Sequence, residues 1–304
     1  MIRNTLKKLF IIKFLLASLV FYGQQEIKHA VFIAGPQFTG ILDEQNKEVW
    51  NSGKPGARDG YVLPNGNLLI CWADEVKEFN KKKEVIFSYH RPAPDIELGT
   101  ACRLKNGNTL ISISGKMPRL IEVNKKGLIK IAVPLQPETE NVHMQTRMAR
   151  KLDNGNYLVP HLLAFAVKEY TANGTIVNVF KTDIPALGTR QDENWPFSAI
   201  RLENKNTLVS LTHGNKVVEF DPEGKITWKV DNEDLNEDLL RDPCGVQRLA
   251  NGNTVIASYG ATSGVKLFEI TPEYKVVWRY VGFNVHEFQI LTTNGKPEKG
   301  KLLK

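Results

Sequence analysis

The chain has 304 residues, of which 42% are hydrophobic and 24% charged, with a formal net charge of +7. This composition belongs to a packed globular protein and excludes a disordered or low-complexity chain. Arg3, Lys7, Lys8 and Lys13 lie in the first 23 residues, which hold no acidic side chain, so the remainder carries only +3. Nucleic acid is therefore not expected as a partner.

The first element is a leader. The four basic residues precede an apolar run, Phe14 to Tyr22, with the small Gly23 after it, which is the layout of a secretory signal peptide. Nine apolar residues are too few to span a bilayer core, which needs roughly 20, so stable membrane insertion is not expected. Residues 1–23 are read as a signal peptide and 24–304 as one exported domain, periplasmic or extracellular and monomeric.

Beyond the leader two short patterns alternate to the end of the chain. One is a polar turn followed seven residues later by a large apolar side chain: Asp43 to Trp50, Asn80 to Phe87, Asn124 to Ile131, Thr171 to Asn178 as a weaker copy, Asp221 to Trp228 and Thr271 to Trp278. The other places a Leu before an Asn-Gly turn, as VLPNGNLLI at Leu63, RLKNGNTLI at Leu104, KLDNGNYLV at Leu152, RLENKNTLV at Leu202 and RLANGNTVI at Leu249, with a decayed copy, ILTTNGK, at Leu291. The intervals between these Leu residues are 41, 48, 50, 47 and 42 residues. Asn-Gly between strand-forming residues predicts a hairpin with a type I′ turn. One hairpin of each kind makes a four-stranded antiparallel unit, and this period is that of a propeller blade.

The fold class is therefore all-β, a six-bladed β-propeller of four-stranded antiparallel blades. The part after the leader opens with the second hairpin of a blade and closes with the first. The C-terminal strand, VHEFQIL, is thus expected to complete the N-terminal blade and remove its open edge. Cys71, Cys102 and Cys244 lie on separate repeats, so disulfides do not hold the blades together.

The LxNGNTLI pattern followed by a DxxGKxxW turn resembles quinoprotein-like propellers, the superfamily that includes arylsulfotransferase-like proteins and many exported bacterial proteins. The resemblance implies a ligand site around the central channel. For the arylsulfotransferase-like branch it implies group transfer through a nucleophilic His, for which His143, Arg147, His161, His213 and His286 are available. Pyrroloquinoline-quinone dehydrogenases have eight blades and a vicinal disulfide, so that cofactor is not expected here.

The connections into the innermost strands share one face of the disc. Counting back from each repeat Leu, the third residue is small (Gly60, Ala101, Ala149, Ala199, Val246), and the fifth is Arg58, Gly99, Arg147, Phe197, Cys244 or His286. The seventh is Glu97, Gln145, Trp195 or Asp242. Period-2 alternation predicts that all three rows face the channel. In HMQTR, alternate residues of an extended strand would present His143, Gln145 and Arg147 together. His143, Arg147 and His286 are the catalytic candidates. Arg58, Glu97, Gln145, His161, Trp195, His213 and Asp242 are the substrate-binding candidates. A divalent metal is the candidate cofactor, with His143, Gln145 and His286 as ligands, a set that resembles propeller polysaccharide lyases in composition. An anionic small molecule or saccharide at the channel mouth is the expected partner, acted on by lyase or hydrolase chemistry. The alternatives are a non-catalytic binding propeller and arylsulfotransferase-like transfer. The lysine-rich C-terminal segment is expected to be solvated.

Overall fold

The computed structural model describes residues 26–304; the leader lies outside the described residues. Six four-stranded antiparallel sheets form the propeller. Blade 1 consists of His29–Ala34, Thr39–Leu42 and Glu48–Asn51, with Glu287–Thr293 as its innermost strand. Blade 2 runs from Asp59 to His90, blade 3 from Glu97 to Pro134, blade 4 from Arg150 to Lys181, blade 5 from Asn194 to Val230 and blade 6 from Pro243 to Val281. The closure expected from the order of the hairpins is present: His29–Ala34 pairs antiparallel with Glu287–Thr293, with Phe32 opposite Gln289. Among the described residues no helix is long and apolar enough to cross a membrane.

The turns differ in detail from expectation. In blades 2, 3, 4 and 6 only the Gly of the Asn-Gly pair has positive φ, as at Gly66 (+82°) and Gly252 (+89°). Gly66 N–H donates to the Leu63 carbonyl, and Leu63 N–H donates to Asn67. This is a type I turn closed by a left-handed residue. The decayed copy is the one in which both residues are left-handed, Asn294 at +49° and Gly295 at +76°.

Six apolar clusters fill the gaps between adjacent blades; one joins Phe32 and Ala34 of blade 1 to Leu68, Ile70 and Phe79 of blade 2. Four of the six gaps also carry an ion pair and a fifth carries a Glu–His contact. A Glu on the third strand of each blade meets a basic residue of the next: Glu78 with Arg103, Glu122 with Lys151, Glu169 with Arg201 at 2.8 Å, Glu219 with Arg248 at 3.1 Å and Glu269 with His29 at 2.7 Å. The Asn after each turn Gly donates to the same carboxylate, as Asn253 does to Glu269 at 2.6 Å. In the sixth gap, between blades 1 and 2, Ile41 and Val62 pack among the apolar residues.

The residues three before the repeat Leu do not face the channel. Ala101, Ala149, Ala199 and Val246 lie in the clusters between blades. The rows that reach the axis are those two and four before the Leu. Arg150 of blade 4 lies 3.0 Å from Asp59 of blade 2 and 3.6 Å from Glu287 of blade 1, contacts that only the axis permits. A register shift in the inner strands of blades 3, 5 and 6, between Leu98 and Ala101, Pro196 and Ser198, and Pro243 and Val246, interrupts the alternation. The extra residue of a β-bulge re-aims the side chains before it, so Phe197 and Cys244 of the fifth row turn toward Arg147. Arg58, Arg147 and His286 stand before the first paired residue of their strands, outside the alternation.

The C-terminal segment is not solvated at its end. Arg248 N–H donates to Leu303 and Arg150 Nε to the Lys304 carbonyl at 2.9 Å. The Lys304 amine donates to the Gly60 carbonyl at 2.7 Å and lies 3.4 Å from Glu287. Its side chain is fully buried over the Tyr61 ring. The segment closes the channel from the Asn-Gly face, so the opposite mouth is blind.

Candidate functional site at the channel mouth

The fifth row forms a ring around the blind mouth, and its charges do not balance. Arg147 is 5% exposed. Its guanidinium donates to the Thr146 carbonyl at 2.9 Å and lies 5.9 Å from the Phe197 ring. Among the described residues no carboxylate forms a salt bridge with it. Burial, then the charge of Arg58, pulls its pKa down to about 10. A buried cation without a counter-ion is costly.

Arg58 is held by Glu97 at 2.7 Å and by the Leu98 carbonyl at 3.2 Å. The same Glu97 oxygen accepts from His143 Nδ1 at 3.2 Å. The hydrogen bond from His143, then that from Arg58, lowers the Glu97 pKa to about 2. Two guanidiniums thus face one carboxylate, and burial keeps the Cys244 thiol protonated by pushing its pKa well up.

His286 completes the ring. Its Nδ1 lies 3.2 Å from the Ala57 carbonyl, which can only accept, so Nδ1 carries the proton and Nε2 a lone pair. The imidazole stacks on Tyr259 at 4.8 Å with an interplanar angle of 8°. Burial, supplemented by Arg147 and Arg58, lowers its pKa to about 4.

The segment around His143 is not a strand. Val142–Met144 is a 3-10 turn, and the inner strand of blade 4 is only Arg150–Lys151. His143, Gln145 and Arg147 therefore do not alternate in the expected way. Gln145 is buried: its amide nitrogen donates to the Gly115 and Thr139 carbonyls, and its oxygen accepts from Gly115 N–H at 2.8 Å. It ties blade 3 to the turn that precedes blade 4. The expected metal set of His143, Gln145 and His286 does not fit, because the Gln145 amide is already committed. Among the described residues no cluster of three or more His, Cys, Asp or Glu side chains is placed to hold a metal. His161 is fully buried, with Nδ1 3.2 Å from the Gln145 carbonyl and Nε2 2.9 Å from the Tyr170 hydroxyl. Neither nitrogen is free for a ligand.

His213 and Asp242 line a neighbouring cleft of about 510 Å³ between blades 5 and 6, while Trp195 lies outside its lining and packs against His213. His213 Nδ1 lies 2.8 Å from Glu193, its Nε2 3.7 Å from Asp242, and its ring 4.3 Å from that of Trp195. Sequence reasoning missed Tyr259 and Glu193. Tyr259 follows the second strand of blade 6, as Leu162 does in blade 4, but a search for histidines passes over it.

Fold and site together define a six-bladed propeller whose channel is sealed on one face and cation-rich at the other. The chain belongs to the Mal s 1 allergenic protein-like family, whose family model matches residues 4–238. The match does not confirm the quinoprotein-like resemblance of the turn motifs. No curated protein matches the chain. A Bacteroides caccae protein of unknown function is 24% identical with a TM-score of 0.75, over 86% of this chain and 98% of that one. Virginiamycin B lyase from Staphylococcus aureus is 15% identical with a TM-score of 0.55, over 74% and 70%. A luciferin-regenerating enzyme is 11% identical with a TM-score of 0.57, over 83% and 89%. At these identities the likeness is one of fold.

Proposed function

We propose that the mouth binds a small molecule through a carboxylate or similar anionic group and acts on it by lyase-type chemistry. The observation that carries this reading is Arg147, a buried guanidinium with no carboxylate partner among the described residues, on the open face of a channel closed from the other side. An incoming anion supplies the missing counter-ion, and Arg suits a planar, bidentate acceptor. Two of the solved structures of like fold are enzymes by name, which is consistent with chemistry at such a mouth.

The step follows from the groups present. A substrate carboxylate held by Arg147 and Arg58 acidifies the adjacent C–H bond. His286 Nε2 takes that proton, and the electron pair of the broken bond delocalises into the carboxylate as an enolate-like charge, which the guanidiniums offset. A double bond then forms as the β-substituent departs with its bonding pair and is protonated by water. Each group is asked for proton transfer or charge stabilisation, and no metal is used.

Calorimetric titration with a panel of carboxylates and sulfates, wild type against Arg147→Met, tests the reading. A charge-paired contact is worth about 2–5 kcal/mol, so binding should weaken at least about 30-fold. Unchanged affinity in a folded Arg147→Met variant would sink the proposal. In the second reading, binding without catalysis, His286→Gln keeps affinity and no variant has turnover to lose.

A further inference from the structure

The mouth and the cleft between blades 5 and 6 are neighbours. On blade 5, His213 of the cleft packs at 4.3 Å on Trp195, two residues from Phe197, which lies against Arg147. On blade 6, Asp242 of the cleft stands two residues from Cys244, on the same ring as Arg147. Two residues of extended chain span at most about 7 Å, comparable with the length of a pyranose ring. Both walls therefore lead from the anion-receptive ring to the cleft within the length of one sugar.

The lining of the cleft differs from that of the mouth. All its residues are polar or glycine, among them Gln191, Asn215, Lys216 and Arg241. That surface suits hydroxyl groups and offers nothing to an acyl or aromatic tail. Its charges nearly balance, with Asp192, Glu193 and Asp242 against Lys216 and Arg241. His213 is fixed at Nδ1 by Glu193, while its Nε2, at 3.7 Å from Asp242, is beyond hydrogen-bond length. Nε2 and the Asp242 carboxylate are thus available to a hydroxyl placed between them. A second carboxylate in the cleft would meet Glu193 and Asp242, so charge is welcome at the mouth and unwelcome beside it.

We infer that mouth and cleft form one extended site for an oligosaccharide in which a single carboxylate-bearing sugar terminates an otherwise neutral chain. The acidic sugar occupies the ring at Arg147 and Arg58, and the neutral sugars lie across the cleft at His213. This rests on the anion reading of the mouth and names its substrate class.

The test compares three probes by calorimetry: D-glucuronate, a trisaccharide with one terminal glucuronate on two neutral sugars, and trigalacturonate, which carries a carboxylate on every sugar. In wild type the glucuronate-terminated trisaccharide should bind at least about tenfold more tightly than glucuronate, the equivalent of about 1.4 kcal/mol. Trigalacturonate should gain nothing over glucuronate. His213→Ala should bring the trisaccharide down to the affinity of glucuronate. Lys216→Met, at the first residue of the third strand of blade 5, gives a second reading if His213→Ala does not fold. A trisaccharide that binds no better than glucuronate, a trigalacturonate that binds best, or a His213→Ala loss shared equally by glucuronate would each overturn the inference. If glucuronate binds and depends on Arg147 while the trisaccharide gains nothing, only the extended site falls. If no probe binds, or binding ignores Arg147→Met, the anion reading falls with it.

Discussion

Asp59→Asn tests whether the axis of this propeller is held by a balanced buried charge set. Asp59 and Glu287 face Arg150 and Lys304, and all four side chains are at most 9% exposed. Asp59 accepts from Arg150 at 3.0 Å and from Gly60 N–H at 2.8 Å. Asn keeps the shape and one acceptor but leaves two cations against one carboxylate in a channel closed to water. Breaking a buried pair by neutralising one partner costs about 3–5 kcal/mol. For a domain of this size each kcal/mol moves Tm by about 2–3 °C, so a fall on the order of 6–15 °C is expected in a thermal unfolding scan. Lys304→Met added to Asp59→Asn restores one cation to one anion and should recover part of the loss, with the coupling read from the double-mutant cycle. A fall below about 2 °C in Asp59→Asn, or a double variant that merely adds two losses, would refute the argument.

Further expectations follow from the mouth and the inner blades. Glu97→Gln removes the carboxylate that holds Arg58 and His143, so anion affinity should rise, and a titration showing weaker binding would contradict the charge count. His286 and His161, lowered to about 4 and about 3 in the folded state, are protonated more readily in the unfolded chain, whose histidines titrate near 6.5. Stability is therefore complete above that value and is lost as pH falls toward 4, by roughly 1 kcal/mol per pH unit for each histidine. Urea denaturation at pH 7, 6 and 5 measures this, and His161→Gln should flatten the slope. Gln145→Ala leaves the buried Gly115 N–H unpaired, so it should cost about 1–3 kcal/mol of stability. Its effect on ligand affinity should stay small, as differential scanning and calorimetry on one preparation would show.

The blades were legible because their turns recur. Five copies of a Leu five residues before a strand, each with an Asn-containing turn, specify hairpins whatever the residues between them. The closure of blade 1 followed from the order of those hairpins. The inter-blade ion pairs were written in the same motifs, as the Arg or Lys before Leu104, Leu152, Leu202 and Leu249, but their partners lie a blade away and only the fold brings Glu78 to Arg103. The channel rows were misread because alternation was carried back beyond the strand starts of blades 2 and 4 and through the bulges of blades 3, 5 and 6, neither of which a sequence announces. The burial of Lys304 was invisible for a different reason: a lysine-rich end reads as solvated unless the carboxylates of Asp59 and Glu287, far back in the chain, are known to share the axis.

The candidate residues at the mouth survive that misreading for a physical reason. Each blade contributes one residue to the ring at the same distance from its repeat Leu, and the position is free to vary because it precedes the hydrogen-bonded core of the strand. Arg58, Arg147 and His286 use three of the six places for nitrogen groups, and Gly99, Phe197 and Cys244 leave the others neutral. The carboxylates that would satisfy the two guanidiniums stand one step deeper, at Asp59 and Glu287, where Arg150 and Lys304 already occupy them. By supplying Lys304 to the axial carboxylates, the C-terminal segment both closes the channel and leaves the ring above it short of negative charge. The plug on one face and the anion-receptive mouth on the other are thus two consequences of one buried charge arrangement. A variant that withdraws Lys304 should weaken anion binding at the mouth as well as lower Tm, because Glu287 would then be free to compete for Arg147 and Arg58.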